Sequence, residues 1–132
     1  MKVGLLQVAA VALGGALGAS LRYLIAIATH QLLGYGFPYG TLVVNAAGSA
    51  LIGYLVVFLP DSAVGIPLLR LLLITGLLGG FTTFSTFSLE TLVLAQNGHF
   101  LRAGLNVALT LVVCLGAVWL GYLLARGLHG AN

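Results

Sequence analysis

The chain alternates long apolar stretches with short breaks rich in glycine, proline or polar residues. Apolar residues dominate about 3–33, 40–59, 68–96 and 101–126. Between them lie Gly34-Tyr35-Gly36-Phe37-Pro38, the segment from Pro60-Asp61 to Ile66-Pro67, and Asn97-Gly98-His99. A bilayer core is crossed by roughly 20 residues of helix, so the pattern predicts four membrane-spanning helices. Pro38 suits the opening of the second, where its missing N–H costs nothing.

The third stretch departs from this simple picture. Continuous helix over Leu68–Gln96 would measure about 43 Å, well beyond a hydrocarbon core of about 30 Å. Inside it, Gly79-Gly80-Phe81-Thr82-Thr83-Phe84-Ser85-Thr86-Phe87-Ser88 holds five hydroxyl residues and three phenylalanines with no aliphatic bulk. That composition favours a strand, yet a lone strand in lipid leaves its backbone polar groups unpaired. The sequence therefore predicts a helix interrupted at Gly79-Gly80, with tilt as the alternative way to absorb the length.

Few polar residues enter the other spans. In the first, Gly14/Gly18 and Gly15/Ala19 are small pairs four apart, the spacing that lets helix backbones approach closely. Arg22 lies past the midpoint of this span, to snorkel to the interface or to pair inside the bundle. In the second, Asn45 leads a face continued by Gly48, Ser49 and Gly53. Asn45 has two readings, an interhelical hydrogen bond that fixes packing or an amide offered to an anion. In the fourth, Asn106, Thr110 and Cys114 recur every fourth residue as a polar stripe on one face. Glu90, near the end of the third span, is expected in an interfacial ion pair.

Composition removes several function classes. The 132 residues are 61% hydrophobic and 5% charged, against about 25% charged in soluble domains. This is one all-α membrane domain. The formal charge of +3 comes from five scattered cations, which excludes nucleic acid as a partner. Cys114 is the sole cysteine, and His30, His99 and His129 sit at span ends, too scattered for a metal site. The spans hold no nucleophile–base pair or acid pair, so the chain is not expected to be an enzyme. Lys2 precedes an apolar run longer than a signal-peptide core, which is kept as a helix of the mature protein.

What remains is a lining of hydroxyls, amides and ring edges. Phe84 and Phe87, three apart, share one helical face, and the edge of an aromatic ring is electropositive. With Asn45 and the hydroxyls of Ser85, Thr86 and Thr110, they suit a small, hard anion that accepts strong hydrogen bonds. Four helices cannot enclose much interior, so a second copy is expected. Lys2, Arg70 and Arg126 fall on one side of the membrane against Arg102 and Arg22 on the other. That bias is weak enough for insertion in both orientations, and two inverted copies would pair about an axis in the membrane plane.

The run from Gly79 to Glu90 resembles the signature of the small fluoride channels of bacteria and archaea, the Fluc (CrcB) family. Gly14-Gly15-Ala16-Leu17-Gly18-Ala19 with Arg22-Tyr23, and Gly40-Thr41-Leu42-Val43-Val44-Asn45 with Gly48 and Gly53, look like its other two motifs. The resemblance implies an antiparallel, dual-topology homodimer in the cell (inner) membrane with two fluoride pores and the third helix broken mid-membrane. It implies that Phe84 and Phe87 line the pore, that Asn45 contacts fluoride, and that Ser85, Thr86, Thr110, Asn106 and Cys114 form a polar track. It also implies a structural Na⁺ held by the backbone carbonyls of Gly79 and Thr82 from each subunit. At Asn106, Thr110 and Cys114 the chain departs from the residues the family often uses. The alternative is a dual-topology exporter of cationic drugs, which would call for a carboxylate in the first span, where this chain has Arg22.

Overall fold

A computed structural model describes residues 4–59 and 67–129. Lys2, the expected helix start at Val3, Asp61 and the segment 60–66, and the last three residues lie outside the described residues. Helix α1 (Leu5–Leu33) begins at Gly4, whose N–H donates to the Gln7 side chain at 3.0 Å. It stops at Gly34, where φ of +82° ends the helix and the N–H returns to His30 O at 2.9 Å. After the Gly34–Pro38 turn, α2 covers Tyr39–Phe58.

The third stretch is composite. α3 (Leu68–Arg70) widens into a π-helical coil over Leu71–Leu78, and α4 (Gly79–Phe81) resumes α geometry. Thr82 (φ −79°, ψ 155°) and Thr83 (φ −152°, ψ 114°) are extended, and α5 (Phe84–Gln96) follows. The irregularity thus falls at Thr82-Thr83 rather than at the glycines: Gly79 is helical, with φ −64° and ψ −35°. Gly80 serves packing, since a Cβ there would stand 2.6 Å from Gly15 O. Gly98, with φ of +78°, turns the chain into α6 (Phe100–His129).

Among the described residues, four segments are long and apolar enough to cross a membrane: Leu5–Leu33, Tyr39–Phe58, Leu68–Gln96 and Phe100–Leu128. The protein is an all-helical, multi-pass membrane protein, with no strand among the described residues. Two glycine seams hold it together. α1 lies on the π coil and α4, where a Cβ on Gly14 or Gly18 would collide with the backbone of Leu72 or Leu77. α2 lies along α6, where a Cβ on Gly53 would strike Val118 O and one on Gly121 would strike Ala50 O. In lipid, such close backbone approach supplies the packing that hydrophobic burial supplies in water.

The membrane-facing surface keeps its large apolar side chains outward, as at Leu13, Leu17 and Leu24 on α1. Toward one end of α6, Trp119 and Tyr122 meet edge to face at 6.3 Å, and the Arg126 guanidinium lies 5.8 Å from the Tyr122 ring. Near the start of α3, Arg70 Nη1 donates to Leu59 O. Arg22 is half-buried in the α1 wall.

Candidate functional site

The two extended residues set the geometry of the site. In a continuous helix the Thr83 N–H would bond to the Gly79 carbonyl, four residues back. Here it donates to Asn45 Oδ1 at 2.7 Å, while Asn45 Nδ2 donates to Thr83 O at 3.0 Å. One buried side chain of α2 thereby satisfies both backbone polar groups of Thr83, at the point where the helix is interrupted. The last backbone helical bond before the gap is Thr82 N–H to Leu78 O at 3.0 Å. Thr82 Oγ1 donates to the same carbonyl at 2.9 Å.

On the far side of the gap Thr83 caps α5. Its Oγ1 accepts from Thr86 N at 3.2 Å and donates to Thr86 Oγ1 at 3.0 Å. The Ser85 hydroxyl lies 3.2 Å from the same oxygen. Threonine at an N-cap satisfies one of the orphan donors of the first turn. The Thr/Ser richness therefore serves as capping chemistry for an interrupted backbone as well as side-chain lining.

A cavity of about 400 Å³ opens beside this gap. α2 contributes Asn45, Gly48 and Ser49; the interruption contributes Gly79, Thr82 and Thr83. Phe84 and Phe87 of α5, and Thr110 and Cys114 of α6, complete the polar and aromatic part of the wall. The two rings lie 5.2 Å apart at 51°. Phe87 is 6% exposed and Phe84 75% exposed, so one ring is built into the chain and the other stands on its outer face.

Of the residues singled out by sequence, Asn45, Phe84, Phe87, Thr110, Cys114, Gly79 and Thr82 meet at this cavity. Ser85 and Thr86 stand behind it in the α5 cap. Asn106 is only 1% exposed, and its Nδ2 donates to Thr91 Oγ1 at 2.8 Å. Thr91 in turn donates to Phe87 O at 2.7 Å, so Asn106 ties α6 to the turn that carries the buried ring.

Glu90 is placed differently from the expected ion pair. Its Oε1 accepts from Thr41 Oγ1 at 2.8 Å, and its Oε2 is buried without a hydrogen-bond partner among the described residues. Three contributors were named from the sequence without a role at the site: Thr83, Ser49 and Thr41. Thr83 was legible as an N-cap threonine. Ser49 was legible as one turn beyond Asn45, and it lines the same cavity as Cys114. No local signal paired Thr41 with Glu90.

The arrangement combines two aromatic rings, one amide, hydroxyls and a thiol around a space with no carboxylate in its wall among the described residues. Such a lining can replace the hydration shell of a small anion. The sequence family described as "CrcB-like protein, Camphor Resistance (CrcB)" matches residues 9–122. The chain belongs to this family. Among CrcB relatives, a protein of Shewanella amazonensis named "Fluoride-specific ion channel FluC" is 53% identical over 111 residues, covering 84% of this chain and 89% of the relative. A protein of the same name from Geobacter metallireducens is 47% identical over 124 residues, covering 94% of this chain and 100% of the relative.

Proposed function

We propose that this CrcB-family chain is a fluoride-selective channel, not an enzyme, that lets fluoride leave the cytoplasm passively and so confers fluoride resistance. The observation that carries the reading is the cavity at which Asn45, Phe84, Phe87 and Thr110 converge, in a chain whose relatives bear that name. Fluoride enters acidified cells as neutral HF and dissociates inside. An open path for the ion alone lowers its internal level.

The chemistry follows from the lining. A small, strongly hydrated anion gives up water only where donors replace it. One Asn45 Nδ2 proton is engaged by Thr83 O, and the amide carries a second. The Thr110 hydroxyl is another donor, and the electropositive edges of Phe84 and Phe87 meet the anion without offering an acceptor. A larger anion would gain less from so few donors for the same desolvation.

The working unit in this proposal is an antiparallel, dual-topology homodimer with two pores, the gap at Thr82-Thr83 lying mid-membrane. The exposed Phe84 supports it, because a pore-lining ring on the outside of one chain needs a second copy to complete the wall. Gly79 and Thr82 would hold a structural Na⁺ through their carbonyls. They fit such a role: the Thr83 N–H that would cover the Gly79 carbonyl is taken by Asn45, and Thr82 ends the helix with its ψ at 155°. Bound there, the ion supplies positive charge at the interface of the two copies.

Purified protein in liposomes, read first with a fluoride and then with a chloride electrode, tests the function. Rapid fluoride efflux without chloride efflux is expected. Absence of fluoride flux would overturn the reading.

A further inference from the structure

The polar stripe of α6 extends one turn beyond the residues at the cavity. Arg102 precedes Asn106 by four, as Asn106 precedes Thr110 and Thr110 precedes Cys114, so each lies one turn from the next along a row that winds slowly around the helix. Arg102 stands where the Gly34–Pro38 turn meets the start of α6, at the end of the bundle. Its Nη1 donates to Gly36 O at 3.1 Å, which fixes the guanidinium against that turn. A guanidinium has five N–H donors, and this tether uses one.

Arg102 also walls a second cavity, of about 330 Å³, with Leu33, Gly36, Phe37, Tyr39 and Leu105. The Phe37 and Tyr39 rings lie 5.0 Å apart at 52° on its rim. No ion pair is formed by Arg102 among the described residues, and the sequence holds only two carboxylates, Asp61 and Glu90. Glu90 bonds Thr41 through Oε1 and is not part of this wall, and Asp61 belongs to a different connection. A fixed cation beside an open, aromatic-rimmed space with no acid in its wall raises the local concentration of anions.

We infer that Arg102 and the Gly34–Tyr39 turn form a capture site for small inorganic anions at one mouth of the channel, feeding the α6 face. This rests on the channel reading above. The site acts on arrival and not on selection: the guanidinium gathers anions electrostatically, and the inner cavity discriminates among them.

The test is fluoride efflux from liposomes of uncharged lipid, for the wild type, Arg102→Gln, Arg102→Lys and Leu33→Glu. Arg102→Gln should conduct roughly threefold to fivefold less at low fluoride and approach the wild type at saturating fluoride. Added inert salt should lower wild-type flux at low fluoride and leave Arg102→Gln nearly unchanged, because screening acts only where there is a charge to screen. Arg102→Lys keeps the charge and should keep most of the flux. Leu33→Glu sets a carboxylate across the cavity without touching the Gly36 tether, and should reproduce the low-fluoride defect. A loss in Arg102→Gln that is equal at all fluoride levels and insensitive to salt would make Arg102 a tether only and overturn the site. Wild-type flux in both Arg102→Gln and Leu33→Glu would also overturn it. A wild type that passes no fluoride would instead sink the channel reading.

Discussion

Asn45 bonds both backbone polar groups of Thr83, Oδ1 accepting from the N–H at 2.7 Å and Nδ2 donating to the C=O at 3.0 Å. A side chain of one helix thus takes over bonds that another helix has given up. Asn45→Leu, close in size but without the amide, leaves a buried N–H and C=O unmet. The expected cost is about 2–4 kcal/mol across the two groups, with fluoride efflux lost as Thr83 moves. Denaturant titration in detergent and liposome flux would measure both. Asn45→Asp keeps the acceptor for Thr83 N–H and should fold better than Asn45→Leu. Equal stability of the two variants would contradict the clamp.

The two cavity phenylalanines should separate in their effect on folding. Phe87 is buried and Phe84 exposed. Phe87→Ile is expected to cost roughly 1–2 kcal/mol of stability through imperfect repacking, and Phe84→Ile almost none in the isolated chain. Both should abolish selective fluoride flux while dimerisation persists. Undiminished efflux from either variant would remove that ring from the pore.

Replacing Na⁺ by a large organic cation on both sides of the membrane should silence the channel. Graded return of Na⁺ should restore maximal flux without changing the fluoride concentration that gives half of it. Full activity in Na⁺-free solution would dismiss the cation at Gly79 and Thr82.

The α1 seam allows a prediction independent of transport. A side chain at Gly18 meets the Leu77 carbonyl and stands 2.8 Å from Phe81 N. Gly18→Val should destabilise the protein by about 1–3 kcal/mol or more, as overpacking does. Gly116 has open space around it, and Gly116→Ala should be neutral in the same thermal melt. Equal melting temperatures for the two variants would refute the seam.

The four spans were readable because lipid demands helices of a set length, and the 34–38 and 97–99 breaks carry glycine or proline. The α1 glycines were readable for the same reason: small residues four apart have one common use. The excess length of the third span pointed to an irregularity, but its position was not readable. Gly79 and Gly80 look like breakers in isolation, and only the closeness of Gly15 shows that Gly80 is there to admit another backbone. The π coil has no local signature, because Leu71–Leu78 is equally good α-helix by composition. Thr41 and Glu90 are 49 residues apart, a partnership set by how α2 meets α5 and invisible along the chain.

The π coil has a consequence for how this span tolerates change. Such a coil packs more residues into a given height than an α-helix does, and is built like an α-helix with residues inserted. It therefore stores slack. Deleting one residue between Leu71 and Leu78 can be taken up by tightening to α pitch, with Arg70 and Gly79 left near their places. The same deletion in α5 has no slack to draw on, and would swing every residue beyond it by roughly 100° around the axis. Length is negotiable on one side of Thr82-Thr83 and fixed on the other.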